Sequence, residues 1–286
     1  MHFLVTTAVT AAAVVVTFAL LYIFLICGRR RHPDLPEFYG RLYAHRGLFS
    51  NGTPDAPENS MAAFRLAARH GYGIELDVHI SADGELFVFH DDNMRRMCAL
   101  DRKITSLSSS EIEKNRLLGG EQHIPRFSEV LSLVGGQVPL IIELKCEAAD
   151  PPDPLCRAVT EMLSGYDGAY CIESFNPYVV RWFRKNAPGV FRGQLSEMFL
   201  TKKSSSGSTA VRFAMQNLWL NAICRPDFVA YNCLHRHALA FRLWRHVLGM
   251  PAACWTVRDV ETLEELRLRR DCDAIIFEGF SPEVKK

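Results

Sequence analysis

Apolar residues are distributed along this chain in two regimes. Phe3 to Cys27 carries no charge and is rich in Val, Ala, Leu and Phe, a run longer than the roughly 20 residues a helix needs to cross a bilayer. Beyond it, short runs rich in Val, Ile and Leu alternate with longer segments whose apolar residues recur at helical spacing. The short runs at 41–45, 73–79, 139–144, 169–174, 190–194, 227–231, 252–256 and 273–277 predict strands. The segments 59–70, 126–134, 153–164, 177–186, 209–222, 235–248 and 260–270 predict helices between them. That alternation is the pattern of parallel β/α units. Eight strands predict a closed (β/α)8 barrel, and the roughly 245 residues after the apolar run are the size of one such domain, with chemistry expected at the C-terminal strand ends.

The chain therefore divides into a transmembrane anchor at 1–27, a basic juxtamembrane linker at 28–40 and a barrel at 41–286. Gly28-Arg29-Arg30-Arg31-His32 follows the apolar run at once, and no Lys or Arg precedes it. The missing basic n-region disfavours a cleaved signal peptide, and the arginines should remain cytoplasmic. The expectation is a single-pass membrane protein with a cytoplasmic catalytic domain, a cleaved apolar leader being the alternative. The segment from His79 to Pro125 is too long for an ordinary connection and contains its own strand, Leu86 to Phe89, so it predicts an insertion at about 79–125. Thr201 to Ser208 is a polar, Ser-rich loop. The helix after it carries Val211, Ala214, Met215, Leu218, Trp219 and Ala222 at helical spacing and should pack inward; the alternative is a membrane-facing patch of Phe213, Trp219 and Leu220.

Formal charge is only +1, without the basic excess of a nucleic-acid binder. The nine cysteines have no C-x-x-C or paired spacing and suit a reducing compartment as small buried apolar residues.

Chemistry concentrates between Tyr43 and Asp91. Glu75 and Asp77 lie two apart on a strand and so share a face, where two buried carboxylates repel unless a cation lies between them. Glu143 and Lys145 repeat the design on another strand, supplying a third carboxylate and an ammonium suited to phosphate. An oxygen-only ligand set points to one divalent cation, Mg2+ or Ca2+. His45 and His90 each stand where a strand yields to a loop and could divide the giving and taking of a proton. Arg46 offers a planar fork of donors to phosphate oxygens. His79 shares the face of Glu75 and Asp77 but reads as structural.

The segments Ala44-His-Arg-Gly47, Pro57-Glu-Asn-Ser60, Glu75-Leu-Asp77 and Phe89-His-Asp91 resemble, in order, the hallmark motifs of the glycerophosphodiester phosphodiesterases. Glu143-Leu-Lys145, Glu173-Ser-Phe-Asn-Pro177 and Cys254-Trp-Thr-Val257 look similar too, so the resemblance covers roughly residues 41 to 280. It implies that Glu75, Asp77 and Glu143 ligate the metal, His45 and His90 are acid and base, and Arg46 and Lys145 hold the phosphate. Glu58, as further ligand or orienter of Arg46, and Phe175 and Trp255 would share the pocket. The insertion resembles one the family places after its second strand. Arg258 stands where many members have Asn, and Phe277-Glu278 where many have Thr-Asp; both should shape the alcohol pocket without touching the metal or the histidines. The implied activity is metal-dependent hydrolysis of a glycerophosphodiester to an alcohol and glycerol phosphate. The alternatives are a lysophospholipase D acting on membrane lysolipids and a barrel that binds a phosphate ligand without catalysis.

Overall fold

A computed structural model describes residues 2–29, 35–50, 55–201 and 208–283. Eight parallel strands close a barrel: β1 (Arg41–His45), β2 (Gly73–Ile80), β4 (Leu140–Leu144), β5 (Tyr170–Ser174), β6 (Arg192–Ser196), β7 (Phe228–Asn232), β8 (Ala252–Val257) and β9 (Ala274–Phe277). They pair in the order β1-β9-β8-β7-β6-β5-β4-β2, with β1 and β2 closing the ring. The ninth strand, β3 (Leu86–Val88), lies antiparallel to the end of β2 and opens the insertion. The insertion has its own small core, built around Phe87, Phe89, Met97, Ile104 and Ile124.

Alternation along each strand splits the apolar residues between two cores. Outward residues such as Ile74, Leu76, Val78, Ile142 and Ile172 pack under the helices. Inward residues Tyr43, Ile141, Cys171, Phe228, Ala230, Ala253 and Ile276 fill the barrel. At the floor, Phe38 packs on Phe228 and Phe191 with ring centroids 4.7 and 5.2 Å apart. Gly193 makes that layer fit, since a Cβ there would lie 2.3 Å from the Phe228 ring.

The outer helices Met61–Arg69, Phe127–Val134, Asp153–Leu163, Pro177–Asn186 and Val260–Arg269 lie where the apolar spacing predicts them. Two do not. The 209–222 segment divides into Thr209–Gln216 and Asn221–Cys224, because Leu218 turns left-handed at φ +59°. Val211, expected inside, is 47% exposed, and Trp219 packs edge-on against Phe213. The 235–248 segment begins as a 3-10 turn at Cys233–His235, becomes helical only at Leu239–Arg242 and ends in a π turn, Leu243–Val247. Residues 202–207 of the Ser-rich loop, and Arg30, Arg31 and His32 of the basic stretch, lie outside the described residues.

The N-terminal helix runs His2–Ile26, and its stretch Val5–Ile26 is long and apolar enough to cross a membrane, with mean hydropathy 2.6. Its last turns are packed on the barrel. Ile26 O accepts from Asn221 Nδ2 at 2.9 Å, and the Arg225 guanidinium donates to Phe24 O and Cys27 O. Arg29 N donates to Pro226 O.

Candidate active site

Strand register assembles the site. His45 pairs with Glu75 across β1 and β2, Asp77 with Glu143 across β2 and β4, and Glu143 with Glu173 across β4 and β5. All are inward positions toward the C-terminal strand ends, so four carboxylates and an imidazole gather at that end of the barrel interior. Ligand oxygens of Glu75, Asp77 and Glu143 come within 4.8 Å of one another, and all three residues are buried. Glu173 is 1% exposed, and its Oε2 has no hydrogen-bond partner among the described residues.

These carboxyls titrate far from the ordinary range. Burial, then repulsion from Asp77, Glu143 and Glu173, pushes Glu75 well up. Burial likewise raises Glu143 and, with Glu143 and Asp77 adding to it, Glu173. Burial would raise Asp77 too, but the charges of Lys145, His90 and Arg46 outweigh it and hold Asp77 well below normal. Lys145 Nζ stands 3.0 Å from both Asp77 Oδ1 and Glu143 Oε1, which keep it protonated despite its burial. Crowded buried oxygens, one of them unpartnered, fit a hard divalent cation.

Arg46 has a left-handed backbone, φ +56°, and so has Asn59, φ +55°, a conformation that costs on the order of 1 kcal/mol or more for a non-glycine residue. The strain is held by bonds into the site: Arg46 N donates to Glu75 Oε2 at 3.0 Å, Asn59 N to Arg46 O at 2.9 Å, and Asn59 Nδ2 to Asp77 Oδ2 at 2.8 Å. Gly47 completes the turn at φ +81°, where a Cβ would meet Ala63 at 2.9 Å. The Arg46 guanidinium donates to Glu58 Oε1 at 2.8 Å and has Asp77 Oδ2 3.5 Å from its Nε. Glu58 also accepts from Arg96 of the insertion and stands outside the three-carboxylate cluster.

His45 departs from expectation in its partner. Its Nδ1 lies 2.5 Å from Glu278 Oε2, and Arg258 Nε donates to the other oxygen of Glu278 at 2.7 Å. The expectation that Arg258 and Glu278 leave the histidines untouched is therefore wrong for Glu278. Burial alone would raise the Glu278 carboxyl, but the hydrogen bond from His45 and the charges of His45 and Arg258 hold it at about 2. Burial dominates at His45 and lowers it, so the imidazole is neutral near pH 7. With an ionised acceptor at Nδ1, the proton resides there, and the Nε2 lone pair points into the site, 3.9 Å from Glu75 Oε2.

His90 lies two residues beyond β3, its Nδ1 2.7 Å from Asp91 Oδ1, and Asp91 also accepts from Arg96. His79 is fully internal; its Nε2 faces His90 O at 3.4 Å, and burial lowers it to about 4, in keeping with a structural role.

A cavity of about 300 Å3 opens over this layer. His45, Arg46, Glu75, His90, Glu143 and Glu173 line its polar side, and Phe175, Leu195, Trp255 and Ile276 its apolar side. The Phe175 and Trp255 rings meet edge-on at 5.6 Å. Trp255 Nε1 is buried without a partner among the described residues, a free donor in the wall. The residues expected at the site thus gather at the mouth of the barrel, and Glu278, expected only in the alcohol pocket, is hydrogen-bonded to His45; Glu173 and Arg96 are additions.

Residues 45–279 match the glycerophosphoryl diester phosphodiesterase family. A glycerophosphodiester phosphodiesterase of Caldanaerobacter subterraneus is 31% identical over 245 residues, 82% of this chain and 91% of that protein. A lysophospholipase D of Rattus norvegicus is 30% identical over 126 residues, 44% of this chain and 33% of that protein. The fold is similar to that of an Oleispira antarctica phosphodiesterase solved in complex with the product sn-glycerol-3-phosphate, at TM-score 0.65 and 23% identity over 84% of this chain and 93% of that one. A barrel matched over nearly its whole length, carrying the family's motifs in one cavity, makes the chain a member of the glycerophosphoryl diester phosphodiesterase family.

Proposed function

We propose that this chain hydrolyses glycerophosphodiesters to an alcohol and glycerol phosphate, with one divalent cation, Mg2+ or Ca2+, held by Glu75, Asp77 and Glu143. The observation that carries the proposal is the cluster of those three carboxylates beside one cavity lined by Glu75, Glu143, both imidazoles and Arg46. When bound, the cation would neutralise charge developing on the phosphoryl oxygens. Arg46, oriented by Glu58, offers its fork to the phosphate. Lys145 adds a fixed positive charge beside the same group.

His45 is the base. Neutral, with Nδ1–H directed to Glu278, it takes at Nε2 the proton of the attacking hydroxyl, either from water or from the glycerol 2-position; in the latter case the alcohol leaves as a cyclic phosphate forms, and water then opens that ring to glycerol phosphate. Glu278 then balances the imidazolium. His90, held by Asp91 and more open than His45, gives a proton to the departing alkoxide. Phe175 and Trp255 wall the pocket beside the phosphate.

Residues 1–27 are read as a single-pass anchor and 28–40 as the juxtamembrane linker, with the catalytic domain on the cytoplasmic side; the arginines after the apolar helix support that side. A second reading, cleavage of lysolipids at the membrane, is favoured by the apolar wall of the cavity. 31P NMR of glycerophosphocholine incubated with the full chain tests the proposal. Glycerol phosphate and choline are expected; phosphocholine, or an unchanged diester, would overturn it.

A further inference from the structure

The barrel is not loosely tethered to its apolar helix. Gly28 has no room for a Cβ, which would come within 2.4 Å of Pro226 O and 2.5 Å of the Trp244 ring. Arg29 bonds Pro226 O and Pro188 O, in the loops that enter β7 and β6 at the floor. Going back along the chain, Ile26 meets Asn221 and Tyr22 meets Trp219, with ring centroids 6.3 Å apart. Trp219 and Asn221 belong to the segment descending from the mouth to the floor, so from Arg29 to Tyr22 the chain climbs toward the mouth. The preceding turns continue for about 30 Å at 1.5 Å per residue, with Val14, Val15, Val16, Phe18, Leu20 and Leu21 exposed.

The mouth edge in that same sector is unusually apolar. Leu200 after β6, Val211 and Phe213 on the following helix, and Leu234 and Leu239 after β7 are 39%, 47%, 41%, 70% and 65% exposed. The two loops touch: Met198 N lies 3.3 Å from His235 Nδ1. Leu200 is joined to the cavity through its neighbour Phe199, whose ring meets Phe175 at 6.0 Å. Apolar side chains therefore link the cavity wall to the rim, on the side from which the apolar helix departs.

We infer that the β6–β7 edge of the mouth is a bilayer-contact surface, through which a single-chain amphiphilic phosphodiester enters from the membrane with its apolar tail along Phe175, Phe199 and Leu200. The inference rests on the proposed hydrolysis and on the helix being an anchor. A helix with charge-free sides fixes the nearest surface as lipid, and the rim residues are those that would otherwise face water as an uncovered patch.

The test uses the full chain reconstituted in phosphatidylcholine vesicles, with Leu234→Asp plus Leu239→Asp as the variant and glycerophosphocholine and vesicle-borne lysophosphatidylcholine as substrates. Lysolipid turnover should fall tenfold or more while turnover of the soluble diester changes less than twofold. A Leu234→Trp chain should gain fluorescence, relative to the unaltered chain, that brominated lipids quench. Equal effects on both substrates, no effect on either, or an added tryptophan that brominated lipids leave unquenched would overturn the inference and leave the rim to a protein partner. If the unaltered chain cleaves neither substrate, the proposed hydrolysis fails; the quenching still decides the rim.

Discussion

Replacing Glu278 by Gln removes one charge from the bond to His45 while keeping an acceptor of the same shape. Two unit charges about 4 Å apart interact by about 4 kcal/mol at an effective dielectric of 20. Glu278 is only partly buried and is already paired with Arg258, so solvent and that guanidinium reduce the loss to about 1–2 kcal/mol, roughly 5- to 30-fold in rate. The loss should appear in kcat, because the imidazolium forms only as the proton moves; KM should stay. The sign of the pH effect is fixed as well. The Glu278 charge raises the His45 pKa against the lowering by burial, so its removal lowers that pKa, and the acid limb of the kcat profile moves to lower pH. Arg258→Ala should move the limb the opposite way. The assay is a pH series of glycerophosphocholine hydrolysis with saturating metal, with the melting temperature as a fold control. A Glu278→Gln enzyme with kcat within twofold and an unmoved acid limb would refute the base role of His45.

His90→Ala should lower kcat by about 10^2 to 10^4 without moving the melting temperature, as removal of one acid–base group does; a loss under fivefold in single-turnover assays would contradict it. Glu75→Gln should stabilise the metal-free protein, because a carboxyl raised by burial and by its neighbours destabilises the fold once ionised. In EDTA the variant should melt above the parent at pH 8 and approach it toward pH 5, while added Mg2+ or Ca2+ raises only the parent, by about 2.7 kcal/mol at a hundredfold excess over Kd. Gly193→Ala should cost about 1–3 kcal/mol in denaturant midpoint, because its Cβ would overlap the Phe228 ring; an unchanged midpoint would mean the floor layer can yield.

The strands were legible because a barrel strand writes its two faces into the sequence, and the clustered carboxylates because they interrupt that pattern in Gly73–Ile80 and Leu140–Leu144. Glu278 was expected in the alcohol pocket and not beside His45, although strand alternation brings it into the barrel: Ala274 and Ile276 point inward, so position 278 is the next inward site. Glu173 follows Cys171 by the same count. What sequence spacing could not reveal was the left-handed turn at Leu218, which divides a helix that looked continuous, and the packing of Tyr22 to Arg29 on the barrel, which depends on partners nearly two hundred residues away. Arg96 also had no signal, since it reaches Glu58 from the insertion.

The central claim is tested most directly by the turnover of glycerophosphocholine by the full chain in detergent, first stripped with EDTA and then resupplied with Mg2+ or Ca2+, alongside an Asp77→Asn chain. The account predicts no turnover in EDTA, recovery with at least one of the two ions, and none in the variant under any condition. Equal turnover with and without divalent ion, or an active Asp77→Asn chain, would contradict it.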